Sequence, residues 1–443
     1  MNRQKTNYSI LALCILLLTM QGLAAQTAKT FTLSEVFELA ISNSKQLKLS
    51  HTGVETAQVA TKLAQTSLLP SLDVSLSASY IGNVVLMDRD FSHVQHFEMP
   101  HFGNNFSIEA SQVIFAGGAI STNIEKAKLE EQVAQLNYDR NELDICFLVT
   151  GYYLDLYKLK NQREVFLKNI EQTEVLIQQV KSKESQGMAL GSDVTRHELL
   201  LQNLKLGLIE IENNSKIINN QLVVTLGLPA DTQIIPDSSI FEMDLNSVNK
   251  DNLLQLATAN LPELKSAALN KAIAVKETRI AKADYYPQIA AIAANHFDGP
   301  ILVEVPTINS NYNYWYVGVG VRYNLASLYK TNRKVQLANN KQLLAANAEA
   351  LALEHAQVAV QSAYIRFVES FDKLKVYETS SRLADENYRI INNRYLNELV
   401  LITEMLDASN TKLNAELQVV NAKLNVIYNY YSLQREIGTK IRK

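Results

Sequence analysis

The stretch "LLPSLDVSLSASY", residues 68–80, decides the fold because its side chains alternate between apolar and polar. The apolar positions are Leu72, Val74, Leu76, Ala78 and Tyr80. The positions between them are Ser71, Asp73, Ser75, Ser77 and Ser79. A period of two predicts a β-strand with two unlike faces. Most of the remaining sequence predicts long helices, so the apolar face of this strand requires a partner.

Three further segments predict strands. The segment "NFSIEASQVIF" (105–115) alternates, a weaker strand follows Pro287, and "NYNYWYVGVGVRYNL" spans 311–325. Strands of about nine to eleven residues with one apolar face and aromatic residues near their ends are typical of membrane-spanning barrels. The side chains predicted to face lipid are Leu72, Val74, Leu76, Tyr80, Trp315, Val317, Val319 and Val321. Those predicted to line a water-filled lumen are Ser71, Asp73, Ser75 and Ser77.

Four strands cannot close a barrel alone, and an open edge in lipid would leave backbone groups without hydrogen bonds. Closure therefore requires several chains. Two chains would supply eight strands, a number whose barrel is filled by its own side chains. Three chains would supply twelve, which favours a wide conduit. The alternative is a water-soluble sandwich whose apolar face packs on a second sheet, although four strands leave few partners for that face.

The chain also carries an internal repeat. The segment "FELAISNSKQL" from Phe37 resembles "LQLATANLPEL" from Leu254, and the same shift places Pro70 on Pro287. We expect a first repeat at 26–228 with a helix, a β-hairpin at 70–115 and a long helical hairpin. A second repeat at 251–443 would have its β-hairpin at 287–325, and residues 229–250 would link the two.

The distribution of proline predicts very long helices. Residues 117–228 and 307–443 contain no proline, whose presence would cost a helix interior about 3 kcal/mol. A helix from Gly118 to Gln186 would be about 100 Å long at 1.5 Å per residue. Ala338, Ala345, Ala352 and Ala359 recur every seventh residue, which indicates a left-handed supercoil. The predicted fold class is mainly α, a helical coiled-coil barrel with a β-barrel portion.

The turn between the long helices is predicted from "SQGMALGSD", in which Gly187 and Gly191 end one helix and Ser192 caps the next. At the repeat shift Thr403 replaces Ser192, and Glu398 stands at the position of Gly187. An acidic residue follows each predicted cap, where it favours the helix dipole. These acids are Asp193 and Glu404.

The first residues predict export. Arg3 and Lys5 precede an apolar run and then small residues up to Ala25, so we expect a signal peptide at 1–25. Leu13 argues against lipidation at Cys14, because a small residue is usual at that position. Cys146 is then the remaining cysteine, which excludes an internal disulfide. The formal net charge of −3 lacks the basic character of nucleic-acid binding proteins.

The sequence offers no catalytic constellation. It has no phosphate-binding glycine loop, no HExxH and no GxSxG, so we expect neither an enzyme nor a cofactor. His93, His96 and His101 lie near acidic residues in the loop of the first hairpin. Their spacing fits no defined metal site, and a solvated external loop is the favoured interpretation over a metal-binding or adhesive surface protein.

Taken in order, these features resemble the TolC-like outer membrane efflux protein family. The resemblance rests on the duplicated opening segment, the paired prolines, "VIFAGG" (113–118), "GMALGSDV" (187–194) and "LGLP" (226–229). It implies a homotrimer in the outer membrane with a helical tunnel in the periplasm, serving passive export for an inner-membrane transporter in an efflux or type I secretion system. A soluble periplasmic coiled-coil scaffold or adaptor is the alternative.

The resemblance also implies docking of a periplasmic adaptor protein at the helical turns. The residues expected there are Gly187, Gly191, Ser192, Asp193 and Thr403. Acidic side chains near the same turns are candidates for an aperture, since rings of carboxylates select cations. The candidates are Glu398, Glu404 and Asp407, although Glu404, like Asp193, equally suits a helix start.

Overall fold

The computed structural model describes residues 28–242, 250–304 and 307–439. The predicted signal peptide and residues 243–249 of the predicted linker lie outside these ranges. The helices are α1 Leu33–Asn43, α2 Lys45–Thr66, α3 Ala119–Ser185, α4 Gly191–Leu226, α5 Leu253–Asn260, α6 Pro262–Ala283, α7 Ser327–Leu396 and α8 Ile402–Glu436. The strands are β1 Ala28–Phe31, β2 Ser71–Tyr80, β3 Val84–Leu86, β4 Gln95–Phe97, β5 Phe102–Ala116, β6 Gln233–Pro236, β7 Gln288–Gly299 and β8 Tyr312–Arg322.

Four helices dominate the chain, as the proline-free tracts predict. They contain 67, 36, 70 and 35 residues in α3, α4, α7 and α8. Helix α3 is therefore about 100 Å long. It starts after Gly117 and Gly118, whose φ angles of 61° and 78° are left-handed and turn the chain out of β5. Among the described residues, no helix has a long enough apolar stretch to cross a membrane.

The residues that the structure describes divide into two compact units, one drawn from the ranges 28–50, 138–262 and 353–439 and the other from 51–137 and 263–352. The main core of the first unit centres on Tyr153, which is fully buried. The Tyr153 hydroxyl donates to the Phe31 carbonyl at 2.9 Å and accepts from the Asp237 amide at 2.7 Å. Burial raises the pKa of Tyr153 to about 12. This side chain therefore ties α3 to the ends of β1 and β6.

The segment predicted as a linker contributes to that core. Its residues 233–236 form β6, which pairs in parallel with β1. Ile234 and Ile240 are both buried in the same cluster as Tyr153. This small sheet was not predicted, because strands of four residues are too short to show a hydrophobic period.

The second unit contains an antiparallel sheet in the order β2, β5, β7, β8. Leu72 lies opposite Ala110, Val74 opposite Ile108 and Leu76 opposite Phe106. Residues opposite each other share a face, so the alternation of β2 continues into β5 in phase. A register shift between Val113 and Phe115 forms a bulge where β5 approaches α3. Within the described part of the chain, β2 and β8 are the two edges of this sheet.

Candidate functional site

The turns between the long helices close in the same way. Gly187 has φ 75° and Glu398 has φ 63°, both left-handed. The Met188 amide bonds to the Lys183 carbonyl, and the Leu399 amide bonds to the Arg394 carbonyl, each at 2.9 Å. Amides at Gly187 and Glu398 close the inner bonds to Glu184 and Tyr395. Both helix ends therefore carry a Schellman motif, in one case with a glutamate where glycine is usual.

The prediction that Ser192 and Thr403 cap the following helices is wrong. Helix α4 begins at Gly191 after Leu190, and α8 begins at Ile402 after Leu401, and neither leucine makes a side-chain cap. Ser192 and Thr403 are thus inside the first turn of each helix. A side chain does accept a hydrogen bond at the start of α4, but it belongs to Asp193, whose Oδ2 accepts from the Leu190 amide at 3.4 Å. Both leucines hold extended backbone that directs the chain into the helix.

A lysine joins the two turns. Lys183, in the last turn of α3, lies with Nζ 3.7 Å from Glu398 Oε1. The same ammonium donates to the Leu396 carbonyl at the end of α7. Because helix C-termini carry partial negative charge, a cation is favoured at that carbonyl. Glu398 is consequently partnered by a cation, unlike a free aperture carboxylate.

A histidine and a tyrosine form a second link. His197 of α4 is fully buried, and its Nε2 lies 3.3 Å from the Tyr395 hydroxyl of α7. Burial lowers the pKa of His197, against the opposing effect of the Asp193 carboxylate. Burial also raises the pKa of Tyr395 to about 12. Both rings are therefore neutral near pH 7, as an apolar setting requires.

Apolar packing holds these links together. Leu176, Val180, Val194 and Met405 form a buried cluster drawn from α3, α4 and α8. Tyr395 and Leu396 of α7 pack against it. All four long helices therefore contribute to one small core just behind the turns. Replacing a fully buried side chain such as Met405 by alanine would cost about 2–5 kcal/mol.

The residues predicted for docking and for an aperture lie around this core, mostly on the surface. Gly187, Gly191, Ser192, Thr403, Glu398, Glu404 and Asp407 are exposed, and Asp193 is half-buried. Apolar side chains are exposed beside them, with 69% of Leu190, 67% of Leu399 and 70% of Leu401 accessible. A turn region with this much exposed leucine is typical of an interaction surface.

A shallow groove lies between α3 and α4 on the same end of these helices. It has a volume of about 830 Å³ and includes exposed Val175 and Leu199. Ion pairs cross it from Lys181 to Glu198 at 2.8 Å and from Lys205 to Glu174 at 3.1 Å. Its lining thus contains both apolar and charged side chains.

Lys183, His197 and Tyr395 were not among the predicted site residues. For His197 a signal exists, because Val194, His197, Leu204 and Ile211 recur at helical spacing and all are buried. For Lys183 and Tyr395 there is no local signal. Their partners are about two hundred positions away in the chain, at Leu396 and His197.

The sheet carries the second set of predicted residues. All eight side chains predicted to face lipid lie on one face of the sheet, and their exposed fractions range from 62% for Val74 to 79% for Tyr80. The register places Ala293 opposite Val317 and Ala291 opposite Val319, which extends that face across β7. On the opposite face Ser75 and Ser107 hydroxyls lie 2.8 Å apart. The sheet thus has one mainly apolar face, interrupted by the hydrogen-bonded pair Asn295 and Asn313, and one polar face.

The histidine loop lies between β2 and β5. His93 Nδ1 lies 2.8 Å from Asp88 Oδ2, while His101 stacks on Tyr80 with 5.1 Å between ring centroids. Strands β3 and β4 form a small hairpin here that was not predicted. Within ranges 28–242, 250–304 and 307–439, no group of three His, Cys, Asp or Glu side chains is arranged to hold a metal ion.

Comparison with known proteins identifies two curated relatives. Pyoverdine export outer membrane protein OpmQ of Pseudomonas aeruginosa is 23% identical over 272 residues, covering 59% of this chain and 55% of OpmQ. The matched region thus spans little more than half of OpmQ. Toxin and drug export protein A of Aggregatibacter actinomycetemcomitans is 21% identical over 419 residues, covering 90% of this chain and 84% of that protein.

Among solved structures, the fold resembles the outer membrane protein VceC of Vibrio cholerae. The TM-score is 0.78 at 15% identity, covering 92% of this chain and 96% of VceC. The sequence profile described as "Outer membrane efflux protein" matches residues 36–228 and 253–439. Since the profile covers most of the sequence, the chain belongs to the outer membrane efflux protein family.

Proposed function

We propose that this outer membrane protein is the exit duct of a tripartite efflux or type I secretion system, through which substrates leave passively. The observation that carries the proposal is the sheet of the second unit, with one mainly apolar, exposed face and two edge strands. A single chain cannot shield those edges in lipid. The sheet is therefore suited to a barrel shared between chains.

We infer a homotrimer with a twelve-stranded barrel. Pairing of β2 in one chain with β8 in the next would satisfy every edge when the ring closes. Eight strands, from two chains, would give a barrel filled by side chains, whereas twelve leave a lumen. The apolar face carrying Leu76 and Val319 would meet lipid, and the face carrying Ser75 would line the lumen.

We also infer that the two halves, 26–228 and 251–443, arose by duplication, with 229–250 as the linker. The family profile matches in two segments that fall within these halves. Gly227 and Gly438, which the repeat aligns, have φ angles of 64° and 69° at the ends of α4 and α8. Gly187 and Glu398, which the repeat also aligns, both have positive φ angles at the ends of α3 and α7. Similar local conformations at aligned positions support a common origin.

The helical turns are the proposed docking site for a periplasmic adaptor protein, which would connect the channel to an inner-membrane transporter. The surface at these turns carries three exposed leucines, Leu190, Leu399 and Leu401. Gly187 and Gly191 lie beside them and leave space because they have no side chain. Glu404 and Asp407 are the proposed aperture carboxylates, because both are exposed near the turn while Glu398 is paired with Lys183. A three-fold axis would multiply these charges into a ring.

The proposed activity is transport without catalysis. The family is one of efflux proteins, and energy would come from the partner transporter. The names of the relatives refer to pyoverdine, toxin and drug export. We propose that this channel exports a substrate of a similar kind. Because the channel is passive, the partner transporter would select that substrate.

Native mass of the protein, extracted by detergent from carbonate-washed outer membranes, tests the proposal. We expect three copies and, in planar lipid bilayers, conducting pores. A monomer, or protein released by the carbonate wash, would favour a soluble periplasmic scaffold. Family membership does not favour that alternative.

A further inference from the structure

The polar face of the sheet carries a row of stacked aromatic rings. The rings of Tyr312 and Tyr314 lie 5.7 Å apart at 10°. His296 lies between Tyr314, at 4.9 Å, and Tyr316, at 6.0 Å, with 12° between the planes in both cases. This row is on the same face as Ser107, which lies opposite His296 in the register. The other side chains of this face are mostly small or polar, so a row of aromatic rings stands out from its surroundings.

The rings remain accessible. Exposure is 40% for Tyr312, 42% for Tyr314 and 47% for Tyr316. An aromatic ring stabilises a sheet mainly through the area that it buries against its neighbours. Here His296 is the covered member, with 14% of its side chain exposed. In the proposed trimer β8 would gain β2 of the next chain as its neighbour, and β2 carries only short side chains on this face, namely Ser71, Asp73, Ser75 and Ser77. The tyrosines would therefore retain ring surface for another planar group.

The row ends in a gap of suitable size. After Tyr316, the next residue of β8 on this face is Gly318, at which a Cβ would meet nothing within 4 Å. Ile292 lies opposite Gly318 and forms the floor. Positions two residues apart in a strand are about 6.6 Å apart, which leaves room for one ring to stack on Tyr316. The gap thus extends the row by one position.

Negative charge surrounds the row. Glu109 Oε1 lies 3.8 Å from His296 Nε2, and Asp298 accepts from Asn105 Nδ2 beside Tyr312. Arg322, six residues beyond Tyr316, is the only lysine or arginine in the four described strands of this sheet. At about 3.3 Å per residue it is roughly 20 Å away. Both ring quadrupoles and carboxylates therefore favour a cation here.

We propose that Tyr316, Gly318, Ile292 and Glu109 form a binding site for planar aromatic cations on the lumenal face of the sheet. The ligand ring stacks on Tyr316 over Gly318, and its positive charge is directed toward Glu109. This inference rests on the proposed function, which assigns the polar face to the lumen. The inference adds a substrate class, aromatic cations, which would bind transiently at this site during export.

The test uses the purified full-length channel in planar lipid bilayers, with ethidium as the planar aromatic cation. Ethidium should block the pore current at lower concentrations than tetraethylammonium, a cation without a ring. Tyr316→Ser should weaken the ethidium block about tenfold, as loss of one cation–ring contact predicts, while Tyr316→Phe keeps it. Gly318→Leu, which fills the gap, should also weaken it.

Glu109→Gln provides a variant that leaves every ring in place, and it should weaken ethidium block several-fold without changing block by a neutral solute. If the Tyr316 and Gly318 variants do not assemble, the Glu109→Gln variant alone tests the proposed site. Equal ethidium block in wild type and in Glu109→Gln, or in Tyr316→Ser, overturns the inference while leaving a conducting channel. Absence of any conducting trimer in the wild type instead overturns the proposed function and this inference with it.

Discussion

Gly187 and Glu398 adopt the same left-handed backbone, with φ angles of 75° and 63°, at the ends of two different long helices. For a residue with a Cβ this conformation costs about 1–2 kcal/mol relative to the right-handed one. Glu398 bears that strain, and its side chain lies near Lys183. An exposed ion pair of this kind contributes less than about 1 kcal/mol, so it does not fully offset the strain.

Backbone strain at these turns predicts opposite effects for two substitutions. Gly187→Ala should destabilise the protein by about 1 kcal/mol, because a Cβ there meets nothing within 4 Å and the backbone alone is strained. Glu398→Gly should be more stable than Glu398→Ala by a similar amount, since both lose the ion pair. Apparent melting temperatures of the purified proteins measure both differences. Equal values for Glu398→Gly and Glu398→Ala would contradict the strain.

The sheet could be predicted from sequence because its signal is local. The alternation from Ser71 to Tyr80 specifies a face residue by residue, and the observed register continues it into β5. The long helices were likewise predictable, because proline is absent from them and glycines lie next to both ends of α3 and α4. The number of chains is different, because it depends on how many four-stranded sheets are needed to close a barrel. No single segment of the sequence carries that information.

The details of the turns could not be predicted in the same way. Serine and threonine are common caps, yet α4 and α8 begin two residues earlier than those caps predict, after Leu190 and Leu401. The lysine and histidine links depend on which face of one helix meets another helix far along the chain. Packing of exposed and buried faces decides this, and short sequence motifs carry little information about it.

Burial of His197 predicts that stability falls in mild acid. Its pKa is lowered in the folded protein, so the unfolded chain binds the proton more readily. The free energy of unfolding is fully retained above the ordinary histidine pKa of about 6.5 and falls as pH drops from there toward the lowered value. Melting temperatures between pH 8 and pH 5 should decline less for His197→Leu than for wild type.

An exposed histidine provides the control for that experiment. His355→Gln, in the exposed part of α7, should follow the wild-type profile throughout the same range. If His197→Leu declines in parallel with wild type, other groups account for the acid sensitivity and the buried imidazole does not contribute.

Adjacent residues of β8 should differ sharply in their tolerance of charge. Val317→Arg places a guanidinium on the apolar face, which costs about 2–4 kcal/mol near the middle of a membrane. Gly318→Arg places the same group on the polar face, where there is open space. We expect the first variant to be depleted from outer membranes and the second to assemble. Comparable amounts of both in purified outer membranes would contradict the assignment of the faces.

Neutralising the exposed carboxylates of α8 should alter ion selection. Glu404 and Asp407 are one helical turn apart and both exposed, so a three-fold axis would bring their charges into one ring. The double variant Glu404→Gln with Asp407→Asn should lower the permeability of potassium relative to chloride, measured as a shift in reversal potential. Glu398→Gln should have a smaller effect, because Lys183 already partners that carboxylate. An unchanged reversal potential in the double variant would remove both residues from the aperture.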